Sequence, residues 1–309
     1  MRQALLFFLI VAPAAAEDSL APAQIISGGA TIEVSFAPGK FDVGRDAVIA
    51  WISNAADAVS EYFGRFPVQN ARLLVRPTET RSGVFRGTTF GGARPFTRIS
   101  VGQSTTSAQL ADDWMMTHEL IHMAFPDVSA DSDEHHWMEE GMATYIEPIA
   151  RSQAGRMTQE RVWRDFSRDM PQGLPEAGDQ GLDRTRTWGR TYWGGALFWM
   201  LADIQIREAT HNRKGLQDAM RGILMAGGNI TEDWRVERVF ETGDKASGTT
   251  VLADLYRQTN ATAVHTDLED LWRRLGVQMK NGAVTLKDHA PLADIRRAIT
   301  SPPANGIPR

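Results

Sequence analysis

The sequence predicts an α+β fold, a small N-terminal sheet followed by a mostly helical C-terminal lobe, on three observations. Short β-branched and apolar runs broken by glycine and proline fill Ala23 to Gly102, with one helical stretch among them. From Ser107 onward the apolar residues recur at helical spacing for most of the chain. A length of 309 residues at 42% hydrophobic content suits one large core or two modest ones sharing an interface, and no internal repeat or low-complexity tract argues otherwise. The expected organisation is a leader over 1–16, a β-rich lobe over 17–105 and a helical lobe over 106–309.

The leader is read from Met1-Arg2-Gln3, the apolar run Ala4 to Val11, and Pro13-Ala14-Ala15-Ala16-Glu17, which together predict a signal peptide cleaved after Ala16. Its apolar run is shorter than the roughly 20 residues that span a bilayer. The expectation is a periplasmic or secreted protein with no stable membrane insertion after cleavage.

Thr31, Ile32, Val34 and Phe36 alternate within a strand expected over Gln24 to Phe36. Val48, Ile52, Ala55, Val59 and Phe63 place a helix over Asp42 to Phe63. Arg72 to Val75 reads as a strand ended by Pro77, and Val84 to Val101 as paired strands interrupted by Gly91-Gly92 and Pro95. Helices are expected over Ser107 to Phe125, Trp137 to Arg151, Thr158 to Met170, Tyr192 to Thr210, Gly215 to Ala226, Val251 to Gln258 and Leu268 to Leu275. Asn281-Gly282 suits a two-residue turn and makes Gln278 to Leu286 a hairpin, with a last helix over Pro291 to Ile299.

A net charge of −5 leaves no broad electrostatic footprint for nucleic acid. With no cysteine in the chain, disulfides, thiolate zinc sites and cysteine nucleophiles are excluded, and any metal must be held by histidine and carboxylate.

One segment supplies such ligands. In His118-Glu119-Leu120-Ile121-His122 the spacing of four sets both imidazoles on one helix face, one turn apart, while Met116, Leu120 and Met123 form a separate apolar side. Glu119 adjoins the first ligand and is placed to take a proton from a metal-activated water. A catalytic zinc site needs a third protein ligand. Eighteen positions after His122 stands Glu140, within Trp137-Met138-Glu139-Glu140-Gly141-Met142-Ala143-Thr144-Tyr145.

These two segments resemble the gluzincin metallopeptidases, in particular the aminopeptidase-N-like and glycyl-aminopeptidase-like branch, whose His-Glu-x-x-His helix is followed by Trp-x-x-Glu-Gly-x-Ala-x-Tyr. The resemblance implies a thermolysin-like catalytic unit holding one zinc ion on His118, His122 and Glu140, with Glu119 as general base. Glu140, not Glu139, is followed by Gly141 and Ala143. Trp137, Gly141, Ala143 and Tyr145 would set the second helix against the first. Tyr192, in Thr191-Tyr192-Trp193-Gly194, matches the tyrosine that donates to the oxyanion in this branch, although Gly194 stands where the family has lysine. The likeness continues loosely through Leu197 to Arg207, Gly215 to Leu224 and Gly276 to Ile299. A metzincin would carry glycine and histidine where this chain has Phe125 and Val128, and the thermolysin-type Asn-Glu-Ala-x-Ser-Asp sequence is absent.

Aminopeptidases of this branch bind the substrate amine with a glutamate on a strand before the zinc helix. The comparable Thr88 to Pro95 has no acid and carries Arg94. The expected activity is therefore hydrolysis of a peptide or protein substrate without a strict need for a free N-terminus, with backbone over Phe90 to Ala93 pairing to an extended chain. The alternatives are a non-catalytic zinc-binding scaffold or assembly protein of the envelope, and hydrolysis of another amide or ester. Among lesser candidates, Thr144 and Glu147 read as solvent-facing, with orientation of a ligand imidazole as the other option. His135 and His136 read as loop-surface residues, Asp112 and Asp113 as helix-dipole charges, and Trp188, Trp193 and Trp199 as core.

Overall fold

The computed structural model describes residues 22–128 and 133–302. The leader expected over 1–16 lies outside the described residues. The architecture is α+β, as the patterning predicts: a five-stranded sheet near the N-terminus, then a helical remainder that includes a small two-stranded hairpin.

Strand β1 (Ala23–Ser27) and β2 (Ala30–Phe36) form an antiparallel hairpin where one strand was expected. Gly28 and Gly29 both have positive φ, which glycine adopts without steric cost, so the pair folds the segment back on itself. Helix α1 (Arg45–Phe63) follows, ended by left-handed Gly64. Then come β3 (Asn70–Thr78), β4 (Val84–Phe90) and β5 (Phe96–Gly102), giving the order β1-β2-β3-β5-β4 with β4 at an edge. β3 continues through Pro77 because its pairing to β2 ends at Val75, so the missing N–H faces the open side.

Burial alternates along these strands. Ala71, Leu73, Val75, Thr97, Ile99 and Val101 are buried on the inner face, while Arg72, Arg76 and Arg86 are exposed.

The long helix expected from Ser107 is broken. α2 (Ser107–Asp112) stops where Asp113 turns extended, at φ −62° and ψ 138°, and α3 (Met115–Ile121) restarts, passing into a 3₁₀ turn over His122–Ala124. Asp113 is thus more than a dipole charge: its carboxylate accepts from the backbone N–H of Met116 at 3.0 Å, capping α3. Asp112 pairs with Arg161.

Helix α4 (His136–Gln153) lies across α6 (Gly195–Ala209), with α5 (Gln159–Asp169) between them in sequence and a π turn over Arg190–Gly194 leading into α6. α7 (Leu216–Met225), α9 (Val251–Thr259), α10 (Leu268–Leu275) and α11 (Ala293–Thr300) fall where periodicity places them. α8 (Val236–Ser247) was not anticipated, although Val236, Val239, Phe240 and Gly243 bury one face at helical spacing. The hairpin of β6 (Val277–Lys280) and β7 (Ala283–Leu286) turns at Asn281-Gly282 as expected. Among the described residues no helix is long and apolar enough to cross a membrane.

Candidate metal centre

α3 and α4 bring the two motifs together. His118 Nε2 lies 3.1 Å from Glu140 Oε2, and His122 Nε2 lies 3.6 Å from the same oxygen. The three ligand atoms all fall within 4.8 Å of one another. Two ligands about 2.0–2.1 Å from a tetrahedral ion stand roughly 3.3 Å apart, so the two imidazole–carboxylate spacings and the two-imidazole, one-carboxylate donor set fit zinc. Glu139 stands outside the triad on the wall of the same cleft, 2.7 Å from His136 Nδ1.

Charge pairing holds the triad together. Burial opposes ionisation of Glu140, but the hydrogen bonds and charges of His118 and His122 hold its carboxyl well below the usual range. Burial likewise disfavours the His122 cation, and Glu140 outweighs it, taking the imidazole up to about 9. His118 Nδ1 is buried without a hydrogen-bond partner, so ring packing and the Glu140 contact at Nε2 set that imidazole. Trp114 meets it edge-on at 5.3 Å, His122 at 4.8 Å, and Tyr192 stacks on it at 6.4 Å.

Glu119 projects from α3 against the edge strand β4. Thr89 Oγ1 lies 2.8 Å from Glu119 Oε2 and 2.8 Å from its carbonyl oxygen, and 2.9 Å from the Thr97 hydroxyl. A proton from Thr97 to Thr89 leaves the Thr89 proton free for the carboxylate. Gly87 clears the space, since a Cβ there would stand 2.5 Å from Glu119 Oε1. The sequence reading missed Gly87, Thr89 and Thr97. A glycine inside the β-rich run Val84 to Phe90 was the available signal.

Tyr192 sits on the π turn, a local widening of the helix that recurs at functional sites. Burial first, then the charges of Glu140 and Glu119, raise its phenol above the ordinary tyrosine range, so it stays a proton donor. Together with Phe85 to Thr89, Trp114, His136 and Ile230 these groups line a cleft of about 480 Å³. The wall is Phe85 to Thr89, not Phe90 to Ala93 as expected: Ala93 and Arg94 line a separate depression with Asn70 and Arg72.

Gly141 and Gly195 fix the crossing of α4 and α6, because a Cβ on Gly141 would fall 2.3 Å from Gly195 Cα. The Trp137 indole N–H donates to Asp183 at 2.8 Å and the Tyr145 hydroxyl to Asp203 at 3.0 Å. The residues flanking Glu140 therefore set α4 against α6 and its surroundings more than against α3.

Glu147 is buried rather than solvent-facing and accepts from Arg151 at 2.9 Å. Burial pushes its carboxyl up to about 7 against the pull of Arg151. Thr144 and Glu147 line a second cavity of about 380 Å³ that shares Trp114, His118 and Tyr192 with the cleft. Trp188 lines it too and is 61% exposed, which removes it from the core, whereas Trp199 is buried with its N–H donating to the Met138 carbonyl. Trp193 is half-buried on the same wall. His135 lies 3.2 Å from the Val128 carbonyl as a loop residue, whereas His136, although exposed, lines the cleft with Nε2 3.5 Å from Glu140 Oε1.

No protein-family model matches the sequence, and no curated protein does. Solved structures do match. An aminopeptidase N family protein from Idiomarina loihiensis superposes with a TM-score of 0.64 at 15% identity, covering 84% of this chain and 49% of that one. The chain has the fold of M1 zinc metallopeptidases. An M1 zinc metallopeptidase from Deinococcus radiodurans superposes with a TM-score of 0.51 at 14% identity, over 80% of this chain and 52% of that one. A two-domain M1 zinc metallopeptidase solved with L-tryptophan gives the same figures. The chain spans about half the length of these M1 structures.

Proposed function

We propose that the chain is an exported zinc-dependent peptidase that hydrolyses peptide bonds without a strict need for a free N-terminus. The observation that carries this reading is the convergence of His118, His122 and Glu140 beside a buried, hydrogen-bonded Glu119. Zinc held by that triad supplies an acidified water and a Lewis-acid site for the scissile carbonyl. Glu119 takes the proton of the attacking water and returns it to the leaving amine. Tyr192 donates a hydrogen bond from its hydroxyl to the oxygen that gains negative charge, a role suited to a phenol whose ionisation is suppressed.

Export rests on the N-terminal sequence. The peptide-end preference rests on the cleft wall, where Phe85 to Thr89 offer no carboxylate for an ammonium and Glu139 is already engaged by His136. The support for Glu119 from Gly87, Thr89 and Thr97 argues against a non-catalytic scaffold, which has no use for a positioned base.

A peptide-library digest with and without chelator tests hydrolysis. Zinc bound at the site without chelator-sensitive cleavage would favour the scaffold. Free and N-blocked forms of one good substrate then test end preference: comparable rates are expected, and strong preference for the free amine contradicts the second half of the reading.

A further inference from the structure

The outer face of the sheet carries a charge pattern that meets the cleft at one residue only, Arg86. Between positions 70 and 102 stand six arginines and one carboxylate, Glu79, in a chain of net charge −5; the neighbouring strand β2 adds one more acid to the face, Glu33, in register with Arg72. Strand register assembles four of those arginines on one surface. One cross-strand row is Arg72, Phe96 and Phe90; another is Arg76, Ser100 and Arg86; Arg98 lies between them on β5. Arg76 and Arg86 flank Ser100 across two strand spacings, about 10 Å.

No carboxylate of the described residues pairs with Arg72, Arg76, Arg86 or Arg98, whereas exposed arginines of the helical lobe such as Arg168, Arg257, Arg273 and Arg297 each hold one. Unpaired like charges gathered on one face repel, and an anionic partner relieves that cost.

We propose that this face docks an acidic polypeptide segment. Three features favour that partner. Arginine forks donate two parallel N–H bonds to a carboxylate. The face shares β4 with the cleft: Gly87 and Thr89 of that strand face Glu119, and Arg86 and Phe90 alternate onto the outer side, so a chain leaving the cleft along the β4 edge moves onto the arginines. Finally, guanidinium groups lie over both phenyl rings, Arg72 5.5 Å from the Phe96 centroid and Arg98 5.6 Å from that of Phe90, which occupies the rings that bilayer insertion or base stacking would use. That the docked chain is also the one being cut rests on the peptidase reading; the docking itself does not.

Fluorescence anisotropy with a labelled oligoglutamate peptide tests the proposal on the zinc-loaded Glu119→Gln protein, which reports binding without turnover. Saturable binding is expected, weakening as salt rises from about 50 to 300 mM. The combined Arg72→Gln, Arg76→Gln and Arg98→Gln substitutions are expected to raise Kd at least tenfold. Circular dichroism confirms that variant's fold, and the salt series on the otherwise unsubstituted protein remains a test if it does not fold. Absence of oligoglutamate binding, or binding indifferent to the three arginines and to salt, overturns the proposal. So does tighter arginine-dependent binding of phosphatidylglycerol vesicles or of a single-stranded oligonucleotide. Arginine-dependent docking in a protein that cleaves nothing sinks the peptidase reading and leaves the docking surface standing.

Discussion

Gly87 on β4 stands against the Glu119 carboxylate so closely that a Cβ at that position would fall 2.5 Å from Oε1 and 2.6 Å from Cγ. The edge strand therefore sets where the proposed base points, and Thr89, two residues along the same face, holds it there at 2.8 Å.

Gly87→Ala should displace the Glu119 carboxylate while leaving the three ligands alone. Misplacement of a reacting group by about 1 Å costs on the order of a hundredfold, and a kcat at least tenfold lower with unchanged zinc content is expected. Steady-state kinetics beside metal analysis check it; undiminished kcat would mean that the position of Glu119 is irrelevant.

Tyr192→Phe removes one hydroxyl and keeps the ring stacked on His118 and, at 5.5 Å, on Trp188. Loss of one oxyanion donor costs roughly 10²–10³ in kcat. The expected signature is a fall of that order in kcat with KM and zinc content little changed. A change confined to KM would assign Tyr192 to substrate binding.

Gly141→Ala forces a methyl group into the α4–α6 crossing, at 2.3 Å from Gly195 Cα. Overpacking of this kind costs about 1–3 kcal/mol. Because α4 carries Glu140 and the π turn leading into α6 carries Tyr192, zinc affinity and kcat should fall together with Tm. A lowered Tm with both unchanged would show that the crossing stabilises without positioning.

Glu147 gives a pH test. Burial raises its folded-state carboxyl from the ordinary 4.5 to about 7. A raised acid pKa means the folded state favours the protonated form, so its contribution is fully present below about pH 4.5 and is lost as pH rises through 7. The shift corresponds to something on the order of 3 kcal/mol. Glu147→Gln keeps an acceptor for Arg151 and carries no charge. It should match the parent in Tm near pH 4.5 and exceed it at pH 8. An equal Tm difference at both values contradicts the account.

The grouping of His118, His122 and Glu140 was legible because it is local in sequence: a spacing of four puts His118 and His122 on one face, and Glu140 lies in a motif of its own. What supports the site was not. Asp113 breaks a run that periodicity reads as continuous because its carboxylate caps the next helix, a choice between two local hydrogen-bonding patterns. Gly28-Gly29 looked like part of a strand because the flanking residues alternate on both sides of the turn. Glu147 and Trp188 exchanged their expected environments, since helical spacing gives a face but not what packs on it. The arginines of the outer face are scattered in sequence and meet only through strand register.

The most direct test of the central claim is a side-by-side measurement of bound zinc and peptide-library cleavage in the wild-type protein and Glu119→Gln. Close to one zinc per chain is expected in both, with chelator-sensitive cleavage in the wild type alone; equal cleavage by the two proteins would rule out Glu119 as the base.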